Sequence, residues 1–232
     1  MICQINQPNG LGDILFCLKI GIKLADEGYD VYWPVIDWYH DIKNYISHPN
    51  LHFHHPPDYK FDISLDLQQS IEYNHPYDVM TCKYRMLEKN EHEFPQTIKD
   101  IECTDWYKYI NPIRNIEKEN DLYYNVLGLK DGEEYVFLNI NFARGKRIII
   151  PKENIERKDL KVVLLNKLSG FSLFDWRKVA ENAVEIQTID TSINYLLEIW
   201  DLKPDKYKVY PRHPEHTKKC LSTIFTKAIW MD

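Results

Sequence analysis

Glycine is scarce in this chain, with 8 residues in 232, and cysteine scarcer still, with 5. The cysteines (Cys3, Cys17, Cys82, Cys103 and Cys220) are odd in number, far apart and without a Cys-x-x-Cys pair. That pattern excludes a disulfide framework and a cysteine-built zinc site, and it reads as reduced core thiols of a cytoplasmic protein. No Asp-x-Asp occurs anywhere, so the paired carboxylates that would hold Mg²⁺ on a diphosphate are missing. No uninterrupted apolar run approaches the ~18 residues of a membrane helix. The first residues enter a strand directly, where a secretory leader would place cations and then an apolar run. Basic excess is lacking too. With 29 Lys and Arg against 35 Asp and Glu the formal net charge is −6, which argues against a general nucleic-acid binder.

What remains is globular in kind, 44% hydrophobic and 28% charged, and long enough for one large domain or two small ones. The chain is organised around Asn9-Gly10-Leu11-Gly12-Asp13, which follows the short apolar strand Ile2 to Ile5. Leu11, Ile14, Leu15, Leu18 and Ile22 then recur on one helical stripe, and Gly28 ends the helix before a strand at 29–35. A strand, a glycine turn and a helix present backbone N–H groups to an anion. Asp13 falls in the first helical turn, where a carboxylate either complements the helix dipole or serves as a general base.

Further along, Asp37 to Ile46 reads as a helix with Trp38, Ile42, Tyr45 and Ile46 on one side, and residues 51–55 and 61–67 as strands. His52 and His54 share a strand face, yet no third ligand stands at convincing spacing. The stretch 79–87 reads as helix, with Lys83 and Arg85 either solvated or turned to a ligand. Glu88 to Asp121 reads as surface helices and a connection. A second strand–helix rhythm begins with the apolar strand 135–140, which runs into the basic loop Arg144-Gly145-Lys146-Arg147. Loops at strand carboxyl ends are where open α/β sheets hold ligands, and this one suits a phosphate. Strands at 160–165 and 184–189 follow, with Ser172 to Asp175 as a capping box and Thr191 or Ser192 capping a helix. A strand at 208–212 precedes a helix from Pro214 through Ile229.

The expected fold is α/β: two trimmed Rossmann-like halves, an acceptor half at 1–120 and a nucleotide-sugar half at 121–232, with a cleft between them. A carboxylate in one half and phosphate-binding groups in the other suit a nucleotide-sugar donor facing an acceptor hydroxyl. In that scheme Asp13 is the base. Arg144, Lys146 and the helix start at Thr191 and Ser192 stabilise the departing diphosphate, and Asp190 to Ser192 position the donor, with no metal required.

These residues resemble GT-B glycosyltransferases of the heptosyltransferase type. Gly-Leu-Gly-Asp-Ile-Leu at 10–15 looks like that family's first turn, in which the Asp is the proposed base. Residues 137–146 are similar to its phosphate-contacting loop, and 188–196 to its Asp-Thr-Gly-x-x-His helix start. Ser192 stands where the family has Gly and Tyr195 where it has His, which leaves donor identity open. Lys83-Tyr84 and Tyr210-Pro211-Arg212 are similar to features of phage and large-virus glycosyltransferase-like proteins. The resemblance implies an inverting, metal-independent transferase. It adds Asn9, Gly10, Gly12, Lys83, Tyr84, Tyr195 and Arg212 as further ligand contacts. A nucleotide sugar and a glycan or other hydroxyl acceptor are the partners. The alternatives are a non-catalytic sugar-nucleotide or glycan-binding module, and an epimerase or hydrolase acting on nucleotide sugars. The expected location is cytoplasmic, in a host cell if the protein is viral.

Overall fold

Alternation along the first strand, β1 (Ile2–Asn6), sets the first sheet: Cys3 and Ile5 are fully buried, while Ile2, Gln4 and Asn6 are half-exposed. The computed structural model describes residues 1–68, 78–142, 146–147, 150, 155, 157–200, 202, 207–212 and 224–231. Cα packing divides the chain into two units, Met1–Ile113 and Arg114–Asp232.

In the first unit β1 is followed by α1 (Leu11–Asp26), β2 (Asp30–Tyr32), β3 (Leu51–His52) and β4 (Ile63–Asp66). The strands lie in the order β3-β2-β1-β4, every pair parallel. Register places Cys3, Val31, Leu51 and Ile63 on one face. Helix α1 packs closely there: a Cβ on Gly21 would stand 3.1 Å from the Trp33 ring and 3.5 Å from Leu51. The chain steps from β1 outward to β3, then returns to the other side of β1 for β4. The order therefore reverses at β1/β4, and ligands of open α/β sheets bind outside strand carboxyl ends at such a point.

Helices α2 (Asp78–Lys89) and α3 (Gln96–Lys99) complete this unit, together with a 3₁₀ turn at Trp106–Tyr109. Trp106 is fully buried and meets Phe16 of α1 edge-to-face at 5.5 Å. The ammonium of Lys19 donates to the carbonyls of Glu102 and Thr104, at 2.7 and 2.9 Å. The segment read as surface helices and a connection thus supplies part of the core.

The second unit holds α4 (Ile116–Asn120), β5 (Tyr135–Asn139), β6 (Asn141–Phe142), β7 (Lys146–Arg147), β8 (Lys161–Leu164), α5 (Arg177–Asn182), β9 (Glu185–Ile189), α6 (Ser192–Ile199), β10 (Tyr207–Tyr210) and β11 (Ile229–Trp230). Its main sheet runs β11-β10-β9-β5-β8, all parallel, and β6 and β7 form a separate antiparallel pair. Strand order reverses here at β5/β9. The expected capping box is present: Ser172 accepts from the N–H of Phe174, and the Ser172 N–H donates to Asp175 at 2.8 Å. Among the described residues no helix is long and apolar enough to cross a membrane.

Two local readings are corrected. Asp37–Asn44 is 3₁₀ rather than α-helix, and Trp38 is 80% exposed while Ile42 and Tyr45 are buried. At about three residues per turn Ile42 and Tyr45 align, and Trp38 swings away from them. The helix expected from Pro214 to Ile229 does not reach its end. Residues 213–223 lie outside the described residues, and Ile229–Trp230 is a strand paired with Lys208 and Val209 of β10.

The fully buried Glu198 of α6 ties this terminal segment down, accepting from Thr226 Oγ1 at 3.0 Å and the Lys227 N–H at 2.9 Å. Burial pushes its carboxyl above the ordinary range, against the hydrogen bonds from Lys227 and Thr226 that lower it. A carboxyl raised in the folded state favours folding at low pH. That contribution is lost as pH rises from the unfolded value through the folded one. In thermal melts from pH 4 to 7, Glu198→Gln is expected to lose less stability than the parent as pH rises. Parallel curves would show that Glu198 does not couple to folding.

Candidate active site

The first unit's reversal point carries a connected polar cluster. After β1 the chain turns through Gln7-Pro8-Asn9-Gly10, and Gly10 takes a left-handed conformation (φ 78°) at the amino cap of α1. A side chain there would be strained, and a Cβ would lie 2.5 Å from Asp13 Oδ2. Glycine lets the first-turn carboxylate fold back over the turn. Gly10→Ala is therefore expected to cost about 1–2 kcal/mol in stability and to dislodge Asp13. Denaturant unfolding reads the first effect and the rate of substrate turnover the second.

The other oxygen, Asp13 Oδ1, lies 3.2 Å from Lys83 Nζ, and the Asp13 side chain is 37% exposed. Lys83 itself is buried. Its ammonium donates to Gln7 Oε1 at 2.6 Å and to the Leu67 carbonyl at 2.9 Å, so all three of its N–H directions are used. Gln7 is fixed in turn: its amide donates to the Asn9 carbonyl at 2.6 Å, and its own carbonyl accepts from Trp33 Nε1 at 3.0 Å. This network joins the carboxyl ends of β1 and β4 to the first turn of α1. It leaves a held, solvent-reaching carboxylate, which is what proton abstraction from a hydroxyl requires.

Lys83 therefore faces Asp13, where the sequence suggested a ligand contact. Tyr84 is buried and its hydroxyl donates to the Phe16 carbonyl at 2.7 Å, a tie between α2 and α1. Cys17 nearby is a free, fully buried thiol whose pKa burial pushes up, making it a poor nucleophile.

At the second unit's reversal point, β9 leads into α6 with Thr191 at the amino cap. The expected cap bond is not made. The Thr191 hydroxyl accepts instead from Asn139 Nδ2 at 2.9 Å, at the end of β5. Asn194 Oδ1 accepts from the Thr188 hydroxyl at 2.5 Å, and Asn194 Nδ2 donates to the Ile189 carbonyl. Asp190 is buried and accepts from the Arg212 N–H, with Arg212 Nε 4.0 Å from its other oxygen. Asp190 and Arg212 thus link β9 to β10. Ser192 is half-exposed in the first turn of α6, and Tyr195 is buried edge-to-face against Phe225 at 4.8 Å. Arg144 and Gly145 lie outside the described residues, and for Lys146 the backbone alone is described, in β7 opposite Phe142.

Sequence reasoning missed Gln7, Asn139 and Asn194. Each is an amide buried where its strand ends or its helix begins, and the one sequence signal was a polar residue closing an apolar run. His52 pairs with Asp30 at 2.8 Å across β3 and β2. Among the described residues no three His, Cys, Asp or Glu side chains are grouped as metal ligands.

No family model matches the chain, and no curated protein matches it in sequence. Solved structures do match in fold. A glycosyl transferase family 9 protein from Veillonella parvula aligns over 99% of this chain and 86% of its own, at 12% identity and a TM-score of 0.59. The E. coli heptosyltransferase WaaC, solved with ADP-2-deoxy-2-fluoro heptose, aligns over 98% of each chain at 13% identity and a TM-score of 0.47. TibC, an iron-containing dodecameric glycosyltransferase of enterotoxigenic E. coli, aligns over 90% of this chain and 57% of its own, at 10% identity and a TM-score of 0.49. The first of these shows a shared fold, two parallel-sheet α/β units of GT-B type.

Proposed function

We propose that the protein is a glycosyltransferase that moves a sugar from a nucleotide-sugar donor to an acceptor hydroxyl, without a metal and with inversion. The observation that carries this reading is the Asp13 carboxylate, held by buried Lys83 at the reversal point of the first sheet. Asp13 takes the proton of the attacking hydroxyl. Ser192, Thr191 and the loop bearing Arg144 and Lys146 receive the departing diphosphate through N–H groups and positive charge. The shared fold with a family 9 glycosyltransferase supports the assignment at the level of architecture.

A second reading, a sugar-nucleotide-binding module without turnover, draws on Tyr195. It stands where the resembled motif has His and is buried against Phe225. A thermal-shift screen against ADP, UDP, GDP and CDP and their sugars tests donor recognition. A ligand that binds the folded state at 100 times its Kd adds about 2.7 kcal/mol of stability. One nucleotide series is expected to raise Tm, and a flat response to all of them would remove both readings.

A further inference from the structure

We infer that His52 and His54 form a two-imidazole site for a borderline transition-metal dication, Cu²⁺, Ni²⁺ or Zn²⁺, on the edge strand β3 of the first sheet. The site stands apart from the transferase reading, and no step of transfer runs through it. Leu51 and Phe53 are buried. Alternation therefore turns His52 and His54 together to the opposite face, where His52 is half-exposed and His54 exposed.

What sets this pair apart from ordinary surface histidines is how each ring is held. His52 Nε2 lies 2.8 Å from Asp30 Oδ1, and His54 Nδ1 lies 2.8 Å from the His55 carbonyl. A carboxylate and a carbonyl only accept, so these two nitrogens carry the ring protons. A neutral imidazole has one donor and one acceptor, which leaves His52 Nδ1 and His54 Nε2 as lone pairs. Neither has a hydrogen-bond partner among the described residues. Histidines that bind metals are oriented in this manner, through a carboxylate or carbonyl on the far nitrogen.

The spacing agrees. The two ring centroids are 5.6 Å apart, with their planes inclined by 39°. A dication about 2 Å from one nitrogen of each ring holds the centroids about 5–6 Å apart at tetrahedral or slightly wider angles. Buried Tyr32 packs against both rings, 4.8 Å from His52 and 5.4 Å from His54, which limits the swing of each. Imidazole nitrogens suit Cu²⁺, Ni²⁺ and Zn²⁺, whereas Mg²⁺ and Ca²⁺ take oxygen ligands. Among the described residues no third His, Cys, Asp or Glu joins the pair in a metal-binding group. The pair therefore binds as an open site, its other positions going to water.

Calorimetric titration of the full chain, stripped with EDTA and desalted, tests this with CuCl₂, ZnCl₂ and MgCl₂. One Cu²⁺ per chain is expected at the tightest site, with Zn²⁺ bound more weakly and Mg²⁺ not at all. His52→Gln and His54→Gln are each expected to weaken that site by about tenfold or more, since each removes one of its two ligands. Asp30→Ala, which removes only the orienting carboxylate, is expected to weaken it about tenfold to a hundredfold. His40 supplies the control, because it pairs with Asp37 but has no second imidazole beside it. His40→Gln should bind Cu²⁺ as the parent does, and matched Tm values without metal check that every variant is folded. Electron paramagnetic resonance of the Cu²⁺ form should show two imidazole nitrogens in the parent and one in His54→Gln. The site is refuted if no Cu²⁺ binds, if the tightest site survives both His52→Gln and His54→Gln, or if His40→Gln weakens it equally.

Discussion

Asp13→Asn is expected to lower the rate of sugar transfer by about two to four orders of magnitude while leaving nucleotide affinity unchanged. Asparagine keeps the size of the side chain, and its amide oxygen still accepts from Lys83 Nζ, which lies 3.2 Å from the native Oδ1. The first turn of α1 and the Gly10 cap are therefore preserved, and Tm should move little. What the amide cannot do is accept a proton. Initial rates of nucleoside diphosphate release, set beside thermal shifts with the same nucleotide, separate the two effects. An unchanged rate removes Asp13 from the chemistry, whatever its position.

Lys83→Met is expected to cost about 3 kcal/mol of stability and to reduce kcat more than KM. The two side chains are similar in volume, so packing contributes little to the difference. The cost comes from acceptors left dry. Gln7 Oε1 and the Leu67 carbonyl lose their donor in a buried site, and Asp13 Oδ1 loses its ammonium. Urea unfolding reads the first effect, and rates across substrate concentration read the second. Because Asp13 and Lys83 touch, the double variant should fall short of the sum of the single effects. A stability change within about 1 kcal/mol would show that the cluster does not organise this end of the sheet.

Much of the first unit was legible in sequence because its signals are local. The apolar stripe from Leu11 to Ile22, the glycine turn and the first-turn aspartate lie within a few residues of one another. The role of Lys83 was not legible. A lysine on an amphipathic helix looks solvated, and only the approach of α2 to the ends of β1 and β4 buries it, 76 residues from Gln7. Trp106 was passed over for the same reason: the short aromatic run Trp106-Tyr107-Lys108-Tyr109 in a polar stretch gives no helical period, yet Trp106 fills the space beside Phe16.

In the second unit the sequence offered Asp190 as part of a donor-positioning motif, and what it did not reveal is that the carboxylate accepts from the Arg212 N–H. The final strand escaped notice because residues 221–229 carry a helical period. The open edge of β10 decides instead, as shown by the Met231 N–H donating to the Val209 carbonyl at 2.9 Å. Thr191 sits at the cap position that the sequence suggested. Its hydroxyl went elsewhere because Asn139, 52 residues away, ends the neighbouring strand within reach of it.

Transfer, hydrolysis, epimerisation and passive binding part company in one assay. Purified protein is mixed with the nucleotide sugar that shifts its Tm, and ³¹P NMR follows nucleoside diphosphate with and without a panel of glycoside acceptors. A transferase that uses Asp13 as base releases the diphosphate quickly only when acceptor is present, and the Asp13→Asn protein releases almost none. Release at the same rate without acceptor, or none from either protein while the nucleotide sugar stays bound, would contradict sugar transfer as the function of this chain.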